Sequence, residues 1–205
     1  MPDGYLYEDV PVLKNRLGIK KRGLLDAAEA GLSRASMMLL CEEGFQDFSP
    51  AGLSEIHRRL FGDIYDWAGE FRVINIKKRE RLLAGWSVWY SDQDDILPDL
   101  ERGFAALLAQ PWDTFSREEF VSALAEYFAP IWQVHPFREG NTRSVFMMLS
   151  LFVEHHGFFV DYDRLTDWAD HARDTFVLAS LGQYSEWEHL ERLLGDIVCG
   201  EPVSS

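Results

Sequence analysis

The stretch Val145-Phe-Met-Met-Leu-Ser-Leu-Phe-Val153 constrains this chain more than any other. Wound at 3.6 residues per turn it leaves no polar face of useful width, so as a helix it is apolar all round. Such a helix belongs in the middle of a bundle. Neither it nor any other run reaches the roughly 18 apolar residues of a membrane span, and the N-terminus lacks an uninterrupted apolar run of signal-peptide length.

Around that helix the pattern predicts others. Leu25, Ala28, Leu32, Ala35 and Leu39 recur at three- and four-residue steps between Leu24 and Glu43, and Gly44 stops the run. Leu53, Ile56, Leu60, Ile64, Trp67 and Ala68 predict a second helix ending at Gly69, and a third follows Ile96. Ser116-Arg-Glu-Glu119 has the form of a capping box before the stripe Phe120, Leu124, Tyr127, Phe128, Ile131. Two more helices are expected over 164–181 and 185–198, with a frayed tail. Between Phe71 and Trp89 the strand-like residues predict a β-hairpin. Residues 1–23 read as an arm packed on one domain spanning 24–200. The expected class is all-α with a small hairpin.

The charge balance excludes two partner classes. With 34 acidic residues against 20 Lys and Arg, the net charge of −14 disfavours nucleic acid and anionic lipid. Residues 72–81 run against this, with five bases and one acid, whereas residues 161–205 hold ten acids and three bases. Cys41 and Cys199 have no ligand-spaced neighbours, which predicts neither disulfide nor zinc site and fits a cytoplasmic protein.

Chemistry concentrates in His135-Pro-Phe-Arg-Glu-Gly-Asn-Thr-Arg143, a loop that opens the apolar helix. Gly140 and Asn141 at the helix N-terminus can turn free N–H groups toward an anion, and Arg143 adds a planar cation one turn in. Glu139 is suited to a divalent cation bridging phosphates, and His135 to a general base. The plainer alternative is a helix start capped by Asn141 with a surface Glu and Arg. His57, His171 and His189 read as single residues on charged helix faces without a role.

HPFREGNTR closely resembles the signature HxFx(D/E)GNGRxxR of the Fic family. LFGDIYDWAGEFR (60–72) resembles the segment before that family's flap, and YLYEDVPVLKNRLGI (5–19) its N-terminal arm. The resemblance implies a Fic-type helical bundle that uses ATP and Mg2+ to transfer AMP to a Ser, Thr or Tyr hydroxyl of a target protein. By position, His135 would be the base, Phe137 the loop's core anchor and Glu139 the magnesium ligand. Gly140 with Asn141 would form the anion hole, Thr142 would lie beside it, and Arg143 would reach the distal phosphates. The flap, about 73–90, would clamp the target by strand pairing through Ile74, Asn75, Ile76 and Val88, with Ile76, Lys77 and Lys78 passing the nucleotide.

Two positions depart from the signature. Thr142 replaces its second Gly and Phe146 its final Arg, which puts the phosphate pose in question. Alternatives are therefore a related phosphoryl or other nucleotidyl transfer, or a Fic-fold binding module with impaired catalysis. The inhibitory pattern (S/T)xxxE(G/N) is absent from the chain, which fits a toxin restrained by a separate small antitoxin protein. Oligomeric state is open.

Overall fold

The computed structural model describes residues 3–162 and 169–200. Its helices are α1 (Arg22–Glu43), α2 (Pro50–Phe61), α3 (Ile96–Leu108), α4 (Arg117–Val134), α5 (Asn141–His155), α6 (Ala169–Ala179) and α7 (Glu188–Ile197). Part of the helix expected over 164–181, with Trp168, lies outside the described residues, as do residues 201–205 of the tail. No described helix is long and apolar enough to cross a membrane.

The all-α expectation is met, and α5 is the central helix. Every residue from Ser144 to Val153 is buried, between α2 on one side and α4 on the other. Helices α3, α6 and α7 complete the shell against α4, and the buried apolar residues form one cluster from Val12 to Val198. The capping box forms: Ser116 Oγ accepts from Glu119 N, and Glu119 Oε2 accepts from Ser116 N at 2.8 Å.

Four local expectations are corrected. Helix α2 ends at Phe61, not at Gly69. Gly62 and Asp63 are poor helix formers, and the arm takes the carbonyls there, with Arg16 Nη1 on Gly62 O at 2.7 Å and Arg16 N on Ile64 O at 2.8 Å. Ile64, Tyr65 and Ala68 stay buried in successive turns, which explains why the apolar period outlasts the helix. Apart from Leu25, the apolar stripe of α1 does not face the core. Its buried side carries Leu25, Glu29, Ser33 and Leu40, while Leu32 and Leu39 are exposed.

Third, the flap doubles back but builds no strand ladder. Glu80 N bonds Trp86 O at 3.0 Å around a turn through Ala84 and Gly85, both at positive φ. Lys78 N then bonds the Ser87 hydroxyl in place of a backbone carbonyl, the competition that short polar side chains offer to sheet pairing. Fourth, the ladder present is elsewhere, a two-residue antiparallel pair of β1 (Phe159–Val160) and β2 (Val198–Cys199). The arm also reaches the motif, where Arg138 bonds Asp3 at 2.6 Å.

Candidate active site

The loop 135–140 is shaped by its own residues. His135 ends α4 in the left-handed conformation (φ 52°, ψ 57°), which turns the chain sharply out of the helix. Arg72 then holds the turn, donating from Nε to His135 O at 2.9 Å, while its backbone N bonds Pro136 O. Phe137 is fully buried and stacks on the His57 ring with centroids 3.8 Å apart. Asn141 closes the loop: its Oδ1 accepts from Phe137 N and its Nδ2 donates to Phe137 O, each at 2.8 Å.

With the Asn141 side chain so engaged, only backbone is left to meet an anion. The N–H groups of Asn141, Thr142 and Arg143 form the first turn of α5, where no intrahelical acceptor exists; Ser144 N is the first to bond back, to Gly140 O. Gly140 stands at φ 80°, and a Cβ there would lie 2.5 Å from the Phe61 ring. The position admits glycine alone.

These residues share one cleft of about 1660 Å³. Into it the fold brings His135, Glu139, Gly140, Asn141, Thr142 and Arg143 from the motif, and Ile74, Asn75, Ile76, Lys77 and Lys78 from the flap. Val88, expected to touch the target, is buried and turned to the core. Asn75 is tied down, donating to Asp92 Oδ2 at 2.7 Å and accepting from Gln93 N at 2.8 Å.

The His135 ring is clamped between Tyr90, stacked at 4.0 Å, and Trp132, edge-on at 5.2 Å. Burial, then the Lys78 ammonium, hold its pKa well below the ordinary histidine value, so the ring is neutral near pH 7 and able to accept a proton. Its Nδ1 meets no partner among the described residues, so aromatic packing sets the ring plane. Glu139 bonds Lys78 Nζ at 2.8 Å and Gly140 N at 3.2 Å. Burial would raise its pKa, but Lys78, the Gly140 N–H and Arg143 outweigh that and hold it at about 2. It is an ionised oxygen donor.

Arg143 lies over the Phe61 ring at 4.7 Å and is held by Ser33 and by the buried carboxylate of Glu29, which also accepts from the Tyr65 hydroxyl. Glu29 carries no signal in the sequence, because its role comes from tertiary contact between α1 and α5. His57 was missed for the opposite reason, a charged neighbourhood that suggested solvent. It is fully buried, accepts from Gly69 N at 2.8 Å through Nδ1 and reaches Glu139 O at 3.0 Å through Nε2. Burial drives its pKa to about 3. A neutral ring with one donor and one acceptor nitrogen serves both bonds.

A profile of the Fic/DOC family matches residues 47–153, more than half of the sequence. The chain belongs to the Fic/DOC family. It is 31% identical over 165 residues to a probable protein adenylyltransferase of Sinorhizobium fredii, covering 80% of this chain and 81% of that protein. It is 28% identical over 164 residues to the protein adenylyltransferase VbhT of Bartonella schoenbuchensis, covering 80% of this chain but only 33% of that relative's length. Its fold is similar to the N-terminal Fic domain of a VirB-translocated Bep effector protein from Bartonella quintana, solved with bound ADP. The TM-score is 0.84 at 25% identity, over 95% of this chain and 94% of that one.

The two departures from the Fic signature have structural explanations. Thr142 Oγ1 accepts from the Trp132 indole N–H at 3.0 Å, so its extra atoms are drawn back toward α4. Phe146 is buried and packs edge-on to Phe176 at 4.9 Å. Arg173, one turn before Phe176 on α6, lines the cleft together with Phe146. It bonds the buried Glu80 at 3.0 Å, and Glu80 also accepts from the Tyr90 hydroxyl. Sequence reasoning gave no sign of Arg173, which lies 27 residues beyond the position it adjoins.

Proposed function

We propose that the chain transfers AMP from ATP to a hydroxyl side chain of a target protein. The observation that carries this reading is the meeting, in one cleft, of a neutral buried His135, an ionised Glu139 and the open N-terminus of α5. The target oxygen forms a bond to the α-phosphorus, the bond to the pyrophosphate oxygen breaks, and the hydroxyl proton passes to His135. The N–H groups of the first α5 turn face the charge that builds on the α-phosphate. Arg143 and Lys78 receive the distal phosphates, and Lys77 lies beside them on the flap. Arg173 adds the positive charge that Phe146 cannot, and Glu80, which more than offsets burial, keeps it protonated.

Magnesium fits as a one-carboxylate ion. Among the described residues no group of three or more His, Cys, Asp or Glu could hold a metal, whereas Glu139 offers an ionised oxygen beside the phosphate path, the donor set of a cation completed by phosphates and water. When bound, it would neutralise charge on the leaving pyrophosphate. Glu139 would hold it, with Lys78 shifting from that carboxylate to phosphate.

The target would lie along the extended flap segment at Ile74, Asn75 and Ile76 and present its Ser, Thr or Tyr hydroxyl to His135. We place the reaction in the cytoplasm, in keeping with the free Cys41 and Cys199, and regulation with a separate antitoxin, in keeping with the missing inhibitory pattern.

Incubation with magnesium and α-labelled ATP, beside γ-labelled ATP and His135→Ala, tests the reading. Protein label from the α position that falls at least a hundredfold in the variant is expected. Label from the γ position alone would identify phosphoryl transfer, and nucleotide binding without label a binding module.

A further inference from the structure

Helix α1 packs on α2 and buries Leu25, Glu29, Ser33 and Leu40, and its opposite side is open among the described residues. At 3.6 residues per turn that side gathers Leu24, Ala28, Leu32, Ala35, Met38 and Leu39 within an arc of about 120°. Leu24, Met38 and Leu39 are 58%, 61% and 54% exposed, and a methyl group added at Gly31 would meet nothing within 4 Å. Asp26, Glu29 and Arg34 fall outside the arc, so it is uncharged between its ends. The one charge on the arc is Glu42 in the last turn, and Lys21, extended before the first turn, stands off its other end; neither is in an ion pair among the described residues.

We infer that a second copy of this chain docks here, α1 against α1, antiparallel about a two-fold axis beside Gly31 and Leu32. A two-fold contact needs a patch complementary to itself reversed, and this patch has that property except at Met38, whose reversed position is the buried Leu25. Reversal sets Leu24 against Leu39, Ala28 against Ala35, and Lys21 against Glu42. Ala28, Gly31 and Ala35 fall around the crossing with Leu32 at its centre, and Leu24 and Leu39 flank them. A parallel pair would instead oppose Lys21 to Lys21 and Glu42 to Glu42. A partner of unrelated sequence would have no need for the two ends of the stripe to complement each other. One helix face per copy lies at the small end of specific interfaces, so the association is reversible.

Sedimentation velocity on the 205-residue chain across a concentration series tests this. The expected result is a mass rising from one chain toward two. Ala35→Glu, at the centre of the arc, abolishes the rise without changing the thermal midpoint, and Leu32→Glu does the same should the first variant fold poorly. Lys21→Glu raises the dissociation constant about tenfold by opposing two acids at both symmetry-related ends. Adding Glu42→Lys restores it. A chain that stays monomeric at all concentrations overturns the inference, whether or not another protein binds this face. So does a dimer that survives both stripe variants, or a charge swap that fails to restore association.

Discussion

A methyl group at position 140 meets two obstacles, a left-handed backbone and the Phe61 ring 2.5 Å away. Gly140→Ala is therefore expected to cost about 2–4 kcal/mol, measured by chemical denaturation. Adding Phe61→Leu should return the steric part and leave the backbone part. His57 gives a pH signature. Its folded pKa of about 3 lies below the ordinary 6.5, so between those values the unfolded chain holds a proton that the folded one refuses. The stability from this neutral ring is full above pH 6.5 and declines as pH falls toward 3. Between pH 6.5 and 5 the loss is about 2 kcal/mol, and His57→Gln should remove that share of the slope in denaturation curves and leave the share of His135. For His135, lowered likewise by burial and then by Lys78, the acid limb of kcat/KM should lie well below pH 6.5. The motif was legible residue by residue because its chemistry is local. Its supports, His57 and Glu29, were not, since a sequence does not display which polar side chain a distant helix will bury.

Among the elements, α5 and the capped start of α4 could be read directly, one from an unbroken apolar run and the other from a reciprocal pair of side chains. The flap was legible as a reversal but not as a ladder-free one, because Ser87 captures the Lys78 N–H that strand pairing would use. What docks the flap is the buried Glu80, bonded to Tyr90 at 3.1 Å and Arg173 at 3.0 Å, with Tyr90 stacked on His135. Glu80→Ala should release it, leaving Arg173 without its carboxylate. Amide exchange over residues 78–90 is expected to quicken at least tenfold, and KM for the target to rise more than the nucleotide dissociation constant. A nucleotide dissociation constant that rises while the target KM does not would mean that the flap serves the nucleotide alone. The face of α1 was misjudged for an instructive reason: periodicity locates an apolar stripe but not the neighbour it is for, and here Glu29 and Ser33 took the inward side to hold Arg143.

At the scale of the molecule, a chain of net charge −14 carries a local excess of bases along residues 72–81 beside the cleft, five against one acid, and an excess of acids over residues 161–205, ten against three bases. Association with ATP should therefore slow as salt is added, although ATP and the protein share a sign overall. Stopped-flow association rates in rising sodium chloride would measure it; a salt-independent or rising rate would show that the global charge prevails. The helix that links this field to the rest is α1. One side holds the carboxylate and hydroxyl that orient Arg143, and the other carries the apolar arc, with only the width of a helix, about 10 Å, between them. A phosphate drawing Arg143 away from Glu29 and a neighbour settling on the arc thus act on one rigid body. Thermodynamic linkage then requires that any factor by which self-association changes nucleotide affinity be returned, undiminished, by nucleotide to self-association.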